Sequence, residues 1–213
     1  MDDLSLILDD CSVVEISQII GPYLRCYLRD RGRSQHGLRL LLSFDDGDIV
    51  LQAGDVHGTS PLLQQMDIFL EIKANGDLGE RAILDLMAHV PGEEIVHFET
   101  FSDQVTMGDV YPLFPNLKAL SFDCAPLQTI FPEPDLGRDK ETFLSLQQLS
   151  LRGLVVDRGD WSPLITFLAR RVSSGNRLDT LEISDSSRMT PEVMKAVRGM
   201  VRELNIESPF VSA

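Results

Sequence analysis

The sequence predicts an α/β protein built as an irregular solenoid of repeats, with parallel strands on one side, helices on the other, and an N-terminal helix and β-hairpin as a cap. Two observations predict this fold: a short apolar pattern recurs along the chain, and helix-like segments separate its copies. The 213 residues, 43% of them hydrophobic, suffice for a core. We divide the chain into a cap region, 1–65, and a repeat region, 66–213, and expect one continuous domain.

The cap region is predicted to begin with helix and to end with a hairpin. Apolar residues recur at helical spacing over 12–31, with an interruption at Gly21-Pro22 where a second helix would begin. Leu38–Phe44 is typical of a buried strand, and Ile49–Ala53 of its returning partner. The dipeptide Asp46-Gly47 between them is a strong signal for a tight hairpin turn.

The repeat region contains a six-residue skeleton with apolar residues at its first, fourth and sixth positions. Its copies begin at 95, 117, 146, 178 and 201, so their spacings are 22, 29, 32 and 23 residues. This pattern is the signature of a leucine-rich repeat, here with an irregular period and without the usual asparagine after the strand. The copies are Ile95–Thr100, Leu117–Phe122, Leu146–Leu151, Leu178–Ile183 and Val201–Ile206, with Phe69–Ile72 as a candidate sixth.

The segments between skeletons are predicted to be helices. Asp77–Glu80 is a capping box that opens one helix, Ser162-Pro163 opens a second with Val172 among its inward residues, and Thr190–Glu192 opens a third. One strand–helix unit cannot bury its own apolar face, so stacked units give a parallel sheet covered by helices. A compact doubly wound α/β domain has the same element order and stays open as an alternative, although its usual Gly-rich phosphate loop is missing.

Composition argues against several classes of function. The chain has 33 acidic and 19 basic residues, and a surface with a formal net charge of −14 repels phosphate backbones, so we expect no nucleic-acid partner. No run of about eighteen apolar residues predicts a membrane span, and the acidic N-terminus is unlike a signal peptide. The three cysteines form no CxxC pair and are expected to be buried free thiols. We therefore expect an intracellular protein, cytoplasmic or nuclear.

Four segments give the chain a family resemblance. They are Leu113–Phe122, Gly153–Leu164, Phe167–Leu181 and Val197–Leu204. Through them, the stretch from about Ile16 to Leu204 resembles the leucine-rich-repeat region of the F-box-like proteins of mushroom-forming fungi. The resemblance implies a role in substrate recognition for a cullin-type ubiquitin ligase, in which an F-box recruits the ligase adaptor and the repeats select the substrate.

The chain departs from that family in its N-terminal part. An F-box has a Leu-Pro-x-Glu-like opening, and nothing before Leu38 resembles one. We expect either a fragment that lacks this box or a free-standing repeat protein. A ubiquitin-ligase adaptor is therefore expected as a partner only if an F-box exists elsewhere.

The partner-binding surface is predicted on the strand face opposite the helices. Residues between the apolar skeleton positions project there, and most of them are small, polar or charged. We expect a solvated face that docks a protein or peptide, with Phe101 and Arg152 as the residue types most often found at hot spots. The predicted partner-binding residues are Glu99, Phe101, Asp123, Gln148, Arg152, Thr180, Glu182 and Asn205.

No motif predicts a cofactor, a metal site or a catalytic centre. The run Asp45–Asp48 lacks the later glutamate of a calcium-binding loop, and no two histidines have ligand spacing. His97 and Glu99 share a strand face but have no accompanying nucleophile. Trp161 is expected to pack beneath a helix start, and Arg170, Arg171 and Arg177 to solvate an outer helix face. A non-enzymatic interaction module is the predicted function. The alternatives are a hydrolase-like or transferase-like α/β enzyme and a scaffold or relic without a partner.

Overall fold

The structure is a computed structural model that describes five stretches of the chain and four further strands. The stretches are 92–101, 113–123, 125–131, 144–184 and 189–207, described with their side chains apart from those of Glu94, Phe101 and Glu207. The strands, described as backbone, are 4–9, 38–45, 48–55 and 68–73. Single residues at 18, 21, 22, 25, 26, 88 and 90 are described as well.

The described strands form one sheet. They are β1 (Leu4–Asp9), β2 (Leu38–Asp45), β3 (Asp48–Asp55), β4 (Ile68–Lys73), β5 (Ile95–Phe101), β6 (Ala119–Asp123), β7 (Gln148–Arg152), β8 (Thr180–Ser184) and β9 (Glu203–Glu207). Their order across the sheet is β1-β4-β3-β2-β5-β6-β7-β8-β9.

Strands β5 to β9 are parallel, and each pairs with the next along the chain. Their register aligns the skeletons, so that the fourth skeleton position of one strand lies opposite the fourth position of the next. Leu149, for example, pairs with Leu120 on one side and with Leu181 on the other. The predicted α/β class with a parallel sheet is confirmed in these five strands.

The core lies on one face of this parallel sheet. Because successive side chains of a strand point to opposite faces, the fourth and sixth skeleton positions enter the same side. In β6 these are Leu120 and Phe122, and Leu117 joins them from the turn before the strand; all three are buried. Leu146, Leu149 and Leu151 repeat the pattern for β7. The skeleton is thus the part of the sequence that builds the core.

Described helices cover that face. They are α1 (Leu127–Ile130), α2 (Ser162–Ser173) and α3 (Pro191–Met200), with short 3₁₀ turns at Gly92–Glu94 and Asp157–Gly159. Helix α3 begins as predicted, with the Thr190 hydroxyl accepting a hydrogen bond of 3.4 Å from the Val193 amide. Helix α2 ends at Ser173, and Gly175 in the turn after it has a φ of +78°, which suits glycine. Trp161 is buried at the start of α2, as predicted.

The last turn of α2 differs from the prediction. Val172 was expected to face inward but is 43% exposed, whereas Arg171, expected on the outer face, is only 6% exposed. Position 171 follows the buried Leu164 by two helical turns and the buried Leu168 by three residues, so helix geometry places it at the centre of the inner face. The prediction was wrong because it followed side-chain polarity instead of helical period.

Arg177 is exposed, as predicted, but it also makes two hydrogen bonds that were not predicted. Its Nη2 donates hydrogen bonds of 2.6 Å to the carbonyl oxygen of Gly199 and 2.8 Å to that of Val201. These carbonyls lie at the C-terminal end of α3, where a cation interacts favourably with the helix dipole. Arg177 therefore ties the turn before β8 to the end of the next helix.

A close backbone contact fixes the start of the parallel ladder. A Cβ atom at Gly92 would collide with the carbonyl oxygen of Leu113, so only glycine fits there. Beside this contact, the Asn116 side-chain amide donates a hydrogen bond of 2.7 Å to the carbonyl oxygen of Glu93. The turn that leads into β6 is thereby held against the turn that leads into β5.

The N-terminal part of the sheet confirms the hairpin and adds an unpredicted strand. Strands β2 and β3 are antiparallel and close with Asp45 opposite Asp48, as the Asp46-Gly47 signal predicted. Strand β1 was not predicted and pairs in parallel with β4. Cys26 is an exposed free thiol on a helical residue, which contradicts its predicted burial.

Strand β4 does not lie where the repeat series would place it. It contains the candidate sixth skeleton, but it pairs antiparallel with β3 and in parallel with β1, whereas β2 is the strand beside β5. The open edge of the hairpin accounts for this position, because β4 satisfies the backbone groups that β3 would otherwise leave unpaired. The sheet therefore groups β4 with the strands of the cap region, although its residues fall within the predicted repeat region.

Several predictions fall on residues outside the described part. These include the loop after β3, most of the helix opened by Asp77–Glu80, and three of the four histidines (His36, His57 and His89). In the described part the longest helix is α2, with 12 residues, so no described helix could cross a bilayer.

Candidate functional site

Three rows of residues lie on the face of the parallel sheet opposite the core. The rows arise because β5 to β9 keep one register, which sets equivalent residues side by side at the strand spacing of about 4.8 Å. The first row is His97, Ala119, Gln148, Thr180 and Glu203. The second row is Glu99, Ser121, Ser150, Glu182 and Asn205. The third contains Phe101, Asp123 and Arg152, with Ser184 and Glu207 beyond them.

A groove of about 350 Å³ lies over the first two rows. Its lining reaches from β5 to β9 and is mostly polar. Five predicted partner-binding residues line it, namely Gln148, Arg152, Thr180, Glu182 and Asn205. The lining also includes His97, Ser121, Ser150 and Glu203, which the sequence placed on this face but which were not selected. Only the register shows that these side chains border one space.

Glu99 corrects the prediction of a solvated face. It is 5% exposed, and Ser121 and Ser150 beside it in the second row are each 8% exposed. Glu182 and Asn205, farther along the same row, are exposed. The two serines are small and lie between larger neighbours in the floor of the groove. The exposure of the residues in this row therefore increases from β5, where they are buried, to β9, where they are exposed. Glu99 is therefore not an exposed contact residue.

Arg152 extends across the face toward β5. Its Nη1 lies 3.8 Å from Oε1 of Glu99, although the two residues stand on strands separated by β6. The Arg152 side chain is half exposed while the Glu99 carboxylate is buried. The arginine compensates a buried negative charge, and its guanidinium is thus already engaged at this end of the groove.

The two remaining predicted residues lie at the edge of this arrangement. Asp123 is half-buried, has a partner of its own, and does not line the groove. The backbone of Phe101 pairs with that of Asp123, and its side chain lies outside the described residues. Its predicted role as a hot spot remains a prediction.

The β8–β9 end of the groove is acidic. Glu182 and Glu203 are both exposed there, and within the described stretches neither carboxylate forms an ion pair. Arg202, the residue before Glu203, instead pairs with Asp179, with 2.9 Å between its Nη1 and the carboxylate Oδ1. Within the described stretches, two carboxylates thus face the groove without an ion pair.

The residues of the same face that bear on catalysis or metal binding are Ser150 and the acidic and histidine side chains. The Ser150 hydroxyl is buried and has no hydrogen-bond partner among the described residues, so no described general base activates it as a nucleophile. Across the described residues, no three His, Cys, Asp or Glu side chains cluster as metal ligands. Comparison with protein-family models, with curated proteins and with solved structures found no match to this chain.

Proposed function

We propose that this chain is a non-enzymatic interaction module that docks an extended segment of a protein partner in the groove over β5–β9. The observation that carries the proposal is the groove itself, which crosses five parallel strands and is lined by hydroxyl, amide, imidazole and charged side chains. Such a lining offers donors and acceptors to a peptide, and the core on the opposite face holds these groups in place.

The proposal includes the finer fold, an irregular leucine-rich-repeat solenoid. Its support is the register, in which consecutive skeletons stack position by position through four parallel pairings. In such solenoids each unit contacts its neighbours, and the extended strand face serves as a binding surface. The same arrangement accounts for a groove that draws residues from strands far apart in sequence.

Peptide display tests the docking function. A random peptide library is selected against the chain and against two tryptophan variants. Gln148→Trp fills the middle of the groove, whereas Gln147→Trp places the same side chain on an exposed neighbour outside the groove lining. We expect peptides that bind the parent chain and Gln147→Trp but not Gln148→Trp. Equal binding to all three proteins, or no enrichment on any, would contradict docking in the groove.

The family resemblance adds a more specific role, which we also propose: the docked partner is a substrate brought to a cullin-type ubiquitin ligase. Its support is the set of four repeat segments that carry the resemblance. Calorimetry with a purified ligase adaptor and this chain tests whether the chain itself recruits the ligase. Absence of heat at micromolar concentrations would leave the docking function in place and remove direct recruitment.

A further inference from the structure

The two ends of the groove differ in charge. At the β5–β7 end, Arg152 is engaged by Glu99, so that end has little charge left to offer a partner. At the β8–β9 end, the carboxylates of Glu182 and Glu203 are exposed and carry no ion pair within the described stretches. A partner that fits this groove therefore brings a cation to its β8–β9 end.

Ser150 supplies an independent sign of a missing ligand group. Its side chain is 8% exposed in the floor of the groove, and its Oγ has no hydrogen-bond partner in the part of the chain that the structure describes. Ser150 pairs directly with Glu182 on the next strand, so the hydroxyl lies beside one of the two carboxylates. A buried hydroxyl without a partner is unfavourable, and a donor that enters beside Glu182 would satisfy it.

The chemistry of the site favours a guanidinium over an ammonium group. A guanidinium offers five N–H donors in a planar fork, which can serve two carboxylates and a hydroxyl at once, whereas an ammonium offers three. The neighbouring acceptors Thr180 and Asn205 also line the groove. Its volume of about 350 Å³ lies near the lower limit for ligand pockets and is suited to one or two side chains.

The net charge of the whole chain also favours a cationic partner. With a formal net charge of −14, the protein attracts cationic segments over distances beyond direct contact. We infer that the partner docks by inserting an arginine side chain between Glu182 and Glu203, with the Ser150 hydroxyl as a further hydrogen-bond partner. This inference rests on the proposed docking function and specifies the chemistry of the occupant.

Titration with capped tripeptides, followed by amide chemical shifts of the ¹⁵N-labelled chain, tests the inference. The probes are Gly-Arg-Gly, its lysine counterpart, and Gly-citrulline-Gly, whose side chain has the shape of arginine without its charge. We expect the arginine peptide to shift the amides of Ser150, Glu182 and Asn205 and to bind about tenfold more tightly than the citrulline peptide. The lysine peptide should bind between the two.

Charge-matched variants separate the groove from the general acidity of the chain. Glu182→Gln and Glu203→Gln should each weaken the arginine peptide about tenfold, whereas Glu93→Gln, which removes an equal charge outside the groove lining, should change its affinity by less than about twofold. Ser150→Ala should weaken binding about threefold. Circular dichroism verifies that each variant is folded.

The possible failures are distinguishable. Equal affinity for the arginine and citrulline peptides would overturn the inference. The docking function would still hold if the display-selected peptides bind the parent chain but not the Gln148→Trp variant. An equal loss of affinity in Glu93→Gln would also overturn the inference, because binding would then follow net charge alone. If no peptide of either experiment contacts the groove, the inference and the proposed function both fail.

Discussion

The guanidinium of Arg171 donates a hydrogen bond of 2.7 Å from Nη2 to the carbonyl oxygen of Leu146, which lies 25 residues earlier in the chain. The bond connects the last turn of α2 to the residue that begins the β7 skeleton. The guanidinium carbon also lies 5.7 Å from the centre of the Phe167 ring, within the range of a cation–π contact. Burial lowers the pKa of Arg171, because desolvation penalises its charged form.

Loss of this arginine should destabilise the fold. Arg171→Met keeps an unbranched stem but leaves the Leu146 carbonyl oxygen without this donor, so we expect the free energy of unfolding to fall by about 1–2 kcal/mol in urea denaturation. The matched control is Arg170→Met on the exposed neighbour, which should change stability by less than about 0.5 kcal/mol. Equal effects of the two substitutions on the free energy of unfolding would show that the buried hydrogen bond of Arg171 does not stabilise the fold.

Truncation of a buried skeleton leucine should lower the free energy of unfolding more than the loss of Arg171 does. Leu120, Leu149 and Leu181 occupy the same skeleton position in three adjacent strands and are all buried. Substitution of any one of them by alanine should lower the free energy of unfolding by about 2–5 kcal/mol, because each leaves a cavity between packed layers. Val172→Ala, on the exposed side of α2, serves as the control with a small expected effect. Silent leucine variants in chemical denaturation would contradict the register of the sheet.

The stabilisation that Asp160 provides at the start of α2 should be lost in acid. The side chain and the backbone amide of Ser162 both donate hydrogen bonds to Oδ1 of Asp160, and these bonds lower the pKa of that carboxyl group below its usual 3.8. Because the folded-state pKa is depressed, the stabilisation is complete above about pH 4 and is lost as the pH falls through the folded-state value. Asp160→Ala should therefore be less stable than the parent chain at pH 7, with the gap closing as the pH falls through the folded-state pKa of Asp160. Thermal denaturation across this range checks it, with the exposed Asp157→Ala as control.

One substitution in the core should stabilise the protein. Thr100 is 1% exposed, and its hydroxyl has no hydrogen-bond partner among the residues that the structure describes. Thr100→Val replaces that hydroxyl with a methyl group of similar size, so we expect a gain of about 1 kcal/mol in the free energy of unfolding. Thr180→Val, in the half-buried first row of the groove, should bring no such gain. A destabilised Thr100→Val variant would mean that the hydroxyl has an unrecognised role.

The parallel half of the fold could be predicted from the sequence because its signal is local. The spacing of Leu146, Leu149 and Leu151 within one skeleton sets which side chains are buried, and Pro191 after Thr190 sets where α3 begins. The place of β4 could not be predicted in this way. Its pairing with β1 and β3 depends on which sheet edges are open, and this is a property of the assembled sheet.

The candidate site was predictable in outline only. Strand alternation identified the face on which the groove lies, and five of the eight predicted residues line it. Polarity alone could not show that Glu99 is buried, since its burial depends on the neighbouring serines and on an arginine two strands away. The exposure of each residue in a row depends on the size of the side chains on the neighbouring strands. The sequence of a single skeleton does not contain this information.

The irregular spacing of the skeletons has a thermodynamic consequence. The entropic cost of closing a loop grows only as about (3/2)RT ln n, so crossovers of 22 and 32 residues differ by about 0.3 kcal/mol. In the loops that join the strands to the helices, residues can therefore be gained or lost at a small entropic cost. Within a strand, a shift of one residue would move Glu182 into the core and Leu181 into the groove. The chain is thus free to vary in length in these loops and strictly constrained within its strands.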